Sequence, residues 1–343
     1  MNKTILALVM SGAYAGAASA ETAPAAPSSV TIYGIADLAL DFQGGGPNGA
    51  SSAVKMANPY GSRIGLRGNE DLGGGNSALF VLESGITVNT GALSQGGLMF
   101  GRQAYGGLKS DTYGTLTMGR QYSSRFLAIA QIADPFQVGF SGQAHNILDG
   151  DAVRVNNSVK YATPVVNGVS ADVMYAPGGV AGSSASGSQL GGSVGYTRDK
   201  LNVRLAYQGR NGTTLPIATT RNTMLAGTYD FGVAKLHMAY SVNRGPLAKG
   251  STDNNDMLIG ATIPFGRVHT IRTSYVRKKD RTALQQDASQ IAVGYFYALS
   301  KSTDLYTVYS HIRNTNGAIF TVNNGSDTGI GNRGTEIGMR HFF

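Results

Sequence analysis

Ser62-Arg63-Ile64-Gly65-Leu66-Arg67-Gly68 alternates without a break. In an extended strand successive side chains point to opposite faces, so Arg63, Gly65 and Arg67 share one face and Ile64 and Leu66 the other. No helical spacing sorts them this way. In a soluble sheet the aliphatic face would meet a core and the arginines would meet bulk water. The same pattern recurs down almost the whole chain and admits a second solution. The aliphatic face can meet lipid while the arginine face lines a water-filled interior.

Bulk features narrow the choice. The 343 residues contain no run of eighteen apolar residues after the N-terminus, which excludes a membrane protein built from spanning helices. Sustained i, i+3, i+4, i+7 patterns are scarce, so helix content should be low. Lys3, the apolar run Ile5–Met10 and the small residues Ala18-Ser19-Ala20 read as a signal peptide over 1–20, cut before Glu21. The remainder, 21–343, is then one exported domain. With no cysteine there is no disulfide to staple it, so a large hydrogen-bonded framework must carry stability. Of the net charge of +8, Lys3 supplies one. A basic excess can mean nucleic acid, but these cations are scattered singly and the chain is exported. No nucleic-acid partner is expected; a basic lumen or surface for small anions is.

Sixteen strands are expected near 30–41, 62–70, 77–88, 98–109, 114–122, 154–162, 169–176, 189–198, 201–208, 221–231, 234–244, 256–263, 268–277, 290–298, 305–313 and 334–343. Each shows two faces. Ile32, Leu38 and Leu40 oppose Asp37 and Asp41. Val155, Val159 and Tyr161 oppose Arg154, Asn156, Ser158 and Lys160. Short turns rich in Gly, Pro, Asn and Asp alternate with long connections, and the longest runs from Ser123 to Val153. Short turns at one end and long loops at the other mark an up-and-down meander between two compartments. Nine residues at about 3.3 Å each, tilted by roughly 40°, span about 23 Å, close to an outer-membrane apolar band. Closing the sheet also removes its edges. The expected fold is all-β: an antiparallel transmembrane barrel.

The motifs Ser29-Val30-Thr31-Ile32-Tyr33-Gly34, Ser62 through Gly75, Phe80-Val81-Leu82-Glu83-Ser84-Gly85, Phe100-Gly101-Arg102-Gln103-Ala104-Tyr105, Gly114 through Tyr122, Arg154 through Tyr161 and the closing Gly338-Met339-Arg340-His341-Phe342-Phe343 resemble the trimeric general porins of Gram-negative outer membranes, the betaproteobacterial type above all. The resemblance covers essentially all of 21–343. It implies a sixteen-stranded barrel, a homotrimer, and a third long loop (here about 123–153, with Asp134-Pro135-Phe136) folded into the lumen. It implies outer-membrane lipid and lipopolysaccharide as surroundings, small hydrophilic solutes and ions as cargo, and barrel-assembly machinery that reads the terminal Phe343.

The resemblance also implies a constriction that sets wall arginines against loop acids. Matching motif positions gives Arg63 and Arg102 as wall arginines, Arg154 just after the loop, and Arg67 one step from Arg63 toward the periplasmic turn. The acids would be Asp134, Asp149 and Asp151 in the loop, with Glu83 on the wall. Phe136 stands where many members carry a glutamate, which removes one acid. Independently of any family, arginine or lysine on a lipid-facing midplane position costs about 2–4 kcal/mol, so these arginines should point inward. Arg120 falls on the opposite face, with Leu116 and Met118, at a subunit contact or a head group. Gly34 and Ala36 leave a smooth outward patch suited to packing between subunits.

Chemistry-bearing motifs are coincidental. Gly44-Gly45-Gly46-Pro47-Asn48-Gly49 fits a dinucleotide fingerprint by letter but lacks a following helix, and Gly191 to Gly195 fits a nucleophile elbow inside a strand. The five histidines make no close pair. The expectation is a passive diffusion channel with modest anion preference, no reaction and no cofactor. A substrate-specific channel, a barrel adhesin and a soluble exported β protein are the alternatives.

Overall fold

The computed structural model describes residues 28–46, 52–148, 153–214, 217–246, 253–324 and 329–343. The candidate leader, Asp149 and Asp151 lie outside the described residues.

Eighteen strands form one sheet: β1 (Ser29–Gly44), β2 (Ser52–Ala57), β3 (Arg63–Gly73), β4 (Asn76–Thr87), β5 (Ala92–Leu93), β6 (Gln103–Ser110), β7 (Gly114–Tyr122), β8 (Arg154–Ala162), β9 (Val169–Ala176), β10 (Gln189–Arg198), β11 (Leu201–Asn211), β12 (Thr219–Asp230), β13 (Lys235–Arg244), β14 (Asp253–Phe265), β15 (His269–Asp280), β16 (Ala288–Ala298), β17 (Thr303–Asn314) and β18 (Arg333–Phe342). With β2 and β5 set aside, neighbours along the chain pair antiparallel, and β1 closes the ring by pairing with β18 on one edge and β3 on the other. β2 and β5 are short additions at the long-loop end, which leaves sixteen staves. The barrel and its stave count agree with the sequence expectation.

Alternation builds each stave. On β1, Ile32 and Leu40 are exposed outward, whereas Asp37 and Asp41 are fully covered inside. On β3, Ile64 is outward and exposed. Exposed Val, Leu, Ile, Met and Tyr run around the whole outer face. A soluble monomer does not leave so continuous an apolar surface in water; a lipid-facing barrel must.

Two strands depart from simple alternation. β6 starts at Gln103, not near residue 98, because 92–102 makes its own excursion with Gly96 and Gly97 at positive φ. On β8 a bulge sets Asn156 and Asn157 against Arg120 alone, with Asn157 at φ 52°. Val155 therefore turns inward and is fully buried against Met174 and Ala176, not outward with Val159. Asn156 turns outward and accepts from Arg120 Nη1, while Arg120 Nε donates to the Gly101 carbonyl at 2.8 Å. The one extra residue is what sends Val155 and Asn156 to faces opposite those that simple alternation gives them, while Arg154 at the strand's start still reaches the interior.

The seam closes through the chain end. Gly34 N donates to Phe343 O at 2.9 Å and Phe343 N to Gly34 O at 3.2 Å. A Cβ on Gly34 would lie 2.3 Å from the Phe343 ring and 2.6 Å from the Arg63 carbonyl. The outward space over Gly34 is thus filled by the terminal ring rather than left open as a bare patch.

The segment after β7 packs against inward-facing side chains of the far wall. It opens with a short helix, Ser124–Ala128, capped by Ser123 Oγ accepting from Phe126 N at 3.2 Å. Arg125 is fully buried and donates to Ser241 on β13 at 3.1 Å. Arg272 on β15 donates to the Pro135 carbonyl at 3.2 Å, Gln290 on β16 to the Gly142 carbonyl at 3.0 Å, and Ser141 N to Glu336 on β18 at 2.7 Å. Phe140 packs against Tyr60, Phe296 and Tyr306 with ring centroids 4.8–5.3 Å apart. Phe136 is buried in the same cluster, against Gly142 and Gly294.

Candidate functional site

Three arginines from separate elements meet one cavity of about 700 Å³ inside the barrel. Arg63 opens β3, Arg102 immediately precedes β6 and Arg154 opens β8. Tyr60, Tyr122 and the buried segment, through Phe126, Gln131, Gln137 and Gln143, complete the wall. Among the described residues no carboxylate lines it.

Each guanidinium is held differently. Arg63 donates to two neutral carbonyls, Nε to Gly61 at 3.0 Å and Nη2 to Tyr60 at 2.7 Å, and lies over the Tyr60 ring. Arg102 donates through Nε to Glu83 Oε1 at 2.7 Å and through Nη2 to the Tyr122 hydroxyl at 2.9 Å. Arg154 donates to the same hydroxyl at 3.2 Å and stacks on the Tyr122 ring at 4.9 Å, while its Nε is buried with no acceptor. Fixed planar groups of this kind are preorganised and lose little further entropy when an anion passes.

Glu83 stands behind Arg102, almost covered. Its second oxygen accepts from the Tyr33 hydroxyl at 2.9 Å. Tyr33, Gly65 and Glu83 occupy facing positions on β1, β3 and β4. Gly65 makes that bond possible, because its Cβ would lie 2.4 Å from the Tyr33 ring. The glycine between two arginines in the opening heptad is where the tyrosine crosses.

The remaining candidates fall elsewhere. Arg67 is exposed beyond the cavity, over the Tyr33 ring at 5.3 Å. Asp134 does not line the cavity. It is buried and accepts from the backbone N–H of Phe136, Val138 and Ala144 at 2.9–3.0 Å. It thereby pins a turn in which Gln137, Val138 and Phe140 all have positive φ, a costly conformation for side-chain-bearing residues. Burial pushes the Asp134 carboxyl up to about 6, against the pull of those three N–H donors.

Further inward arginines lie outside the sequence candidates, among them Arg204 on β11, which donates to Ser193 at 2.9 Å and Ser170 at 3.0 Å. Arg340 pairs with Asp304 at 2.5 Å and stacks on Tyr60 at 4.3 Å; Arg272 stacks on Phe296 at 4.3 Å. Both share a face with other polar inward residues, Glu336 for Arg340 and Ser274 for Arg272, so strand parity carried their signal. Arg125 sits in the segment after β7, where no parity exists, and nothing in the sequence separates it from a surface arginine.

The family model described as Gram-negative porin matches residues 5–339. An outer membrane porin protein of Bordetella pertussis is 32% identical over 403 residues, covering 100% of each chain. Outer membrane porin protein 32 of Delftia acidovorans is 30% identical over 371 residues, again covering 100% of each. Among solved structures, an anion-selective porin from Comamonas acidovorans superposes with a TM-score of 0.78 at 27% identity, over 92% of this chain and 100% of that one. With a closed barrel, an apolar outer face and an arginine-lined interior, the chain belongs to the Gram-negative porin family and is an outer-membrane channel.

Proposed function

We propose that this porin passes small hydrophilic solutes and ions by diffusion, with a preference for anions set where Arg63, Arg102 and Arg154 face the segment 123–153. The observation that carries the reading is the cavity lining: three arginines and, among the described residues, no carboxylate. Clustered Arg or Lys at a narrow aqueous passage lowers the energy of an anion there and raises that of a cation. Among the described residues Arg102 alone of the three is paired with a carboxylate, so the described lining is net positive. The anion selectivity stated for the Comamonas porin supports the same direction. Reversal potential across a planar bilayer under a KCl gradient tests it. Chloride preference is expected, and a potential of the sign for potassium preference would overturn it. The relatives are channels rather than enzymes, and diffusion requires no reaction or cofactor.

The chain acts as one subunit of a homotrimer, joined through the outer faces of β1–β7. Tyrosine distribution supports this side. β9–β17 expose Tyr175, Tyr196, Tyr229, Tyr240, Tyr275, Tyr295 and Tyr309 outward, as lipid-interface staves do, whereas no tyrosine within strands β1–β7 is exposed and only Tyr113, in the turn between β6 and β7, is. Cleavage after Ala20 and reading of the exposed Phe343 during assembly belong to the same proposal.

A further inference from the structure

The segment after β7 presents its side chains in reverse. Its short helix turns Arg125 to the barrel wall, where the side chain is fully buried and Nη2 donates to Ser241 Oγ at 3.1 Å and Asn243 Oδ1 at 3.4 Å. The neighbouring Phe126 and Leu127, with Ala130 four residues on from Phe126, line the arginine cavity instead, and all three are partly exposed there. Val138 and Val153 extend the same apolar wall. A charge taken out of water and apolar carbon left in it is the unfavourable arrangement on both counts. A passage for inorganic ions alone gains nothing from it.

The apolar wall and the arginine cluster meet at Tyr122. Its ring stacks on Phe126 with centroids 4.9 Å apart and planes 20° off parallel, and Arg154 lies 4.9 Å from the same ring's centroid. Its hydroxyl accepts from Arg102 at 2.9 Å and from Arg154 at 3.2 Å. Donor capacity is left over: Arg154 Nε is buried with no acceptor, and among the described residues Arg63 is bonded through Nε and Nη2 only. A carboxylate takes parallel N–H bonds from a guanidinium fork. An aromatic ring gains from an offset ring beside it and from a cation over its face. An inorganic anion can use only the arginines. A solute with a carboxylate on a flat ring can use both walls at once.

We propose that the cavity retains small aryl carboxylates in transit, the carboxylate on Arg154 and its neighbouring arginines and the ring against Phe126 and Leu127. Such solutes bind as they pass, whereas chloride and acetate do not. The assignment rests on the anion-passing reading above and adds a solute class to it.

The full mature protein in a planar bilayer would carry chloride current at neutral pH while benzoate, acetate, cyclohexanecarboxylate or benzamide is added. Benzoate should lower the conductance saturably. Acetate, which has the charge without the ring, and benzamide, which has the ring without the charge, should leave it unchanged. Cyclohexanecarboxylate should need a concentration about fivefold higher for half block, the scale of one aromatic contact. Phe126→Leu keeps apolar bulk and should bring benzoate and cyclohexanecarboxylate to the same half-blocking concentration. Arg154→Gln should raise that of benzoate by about tenfold, the scale of one hydrogen bond to a charged group. No benzoate block, equal block by cyclohexanecarboxylate in the natural channel, block by benzamide, or a Phe126→Leu channel that still prefers benzoate would each overturn the assignment. Reversal potential under a KCl gradient on the same channels separates the two readings. Chloride preference without benzoate block removes the solute class alone, and potassium preference removes the anion reading beneath it.

Discussion

Arg102 and Arg277 are the same residue put to opposite uses by the two faces of one sheet. Arg102 is buried within the barrel, tied to a carboxylate and a phenol whose positions are themselves fixed. Arg277 stands exposed on the outer rim. Inside, aromatic stacking and hydrogen bonds hold the guanidinium still, so its charge acts at one place on whatever passes. Outside, no carboxylate among the described residues pairs with it. The contrast teaches that a porin arginine is defined less by its charge than by what already holds that charge.

The strongest break in this comparison is Arg102→Ala. It removes one cation and also strips Glu83 of its partner, leaving a carboxylate beside the cavity. Removing one member of a buried ion pair leaves the other uncompensated, at a cost of about 3–5 kcal/mol where water cannot reach it. Arg63→Ala removes a cation whose partners are neutral carbonyls. Bilayer reversal potentials should therefore show anion preference falling further in Arg102→Ala than in Arg63→Ala, with Glu83→Gln added to the former restoring part of the loss. Arg277→Ala should leave the potential where it was. An Arg63→Ala effect equal to that of Arg102→Ala would mean that Glu83 has no influence on the passage.

A smaller effect is expected at Gly65→Ala. The new methyl would displace the Tyr33 ring, break its bond to Glu83 and loosen the support behind Arg102. Overpacking of this kind costs about 1–3 kcal/mol. Denaturant resistance of the folded barrel should drop, and selectivity should shift in the direction of Arg102→Ala but by less. Unchanged selectivity with lowered stability would confine Gly65 to packing.

The smallest expected effect is a pH dependence at Asp134. Its folded value of about 6 lies above the ordinary carboxylate value of 3.8. Between those values the folded chain holds more protons than the unfolded one, so this residue's contribution to stability is full below about pH 4 and is lost as pH rises toward 6. Melting temperatures followed across that window should carry this slope in the natural chain and lack it in Asp134→Asn. Parallel curves would show that Asp134 does not titrate there.

Much of the fold was legible because alternation is a local property. Ile64 against Arg63 and Leu40 against Asp41 need only the pleat of a strand, and strand length with turn asymmetry then supplies the barrel. Val155 departs from the face that alternation gives it because a bulge cannot be seen in letters: Asn156-Asn157 looks like any polar pair until its partner strand offers one residue for two. Arg63, Arg102 and Arg154 were visible as inward arginines, but their meeting across β3, β6 and β8 was not. Asp134 looked like a pore acid because its sequence shows a charge and not the three backbone N–H groups around it.

The sequence by itself determined a closed, outward-apolar antiparallel barrel, since each stave's two faces are written in its own residues and every backbone polar group in a membrane must find a partner. Only the tertiary structure decided which charges remain uncompensated. Whether an arginine meets a carboxylate, a carbonyl or nothing depends on strand register and on the path of the segment after β7, and both are set by contacts between residues far apart in the chain.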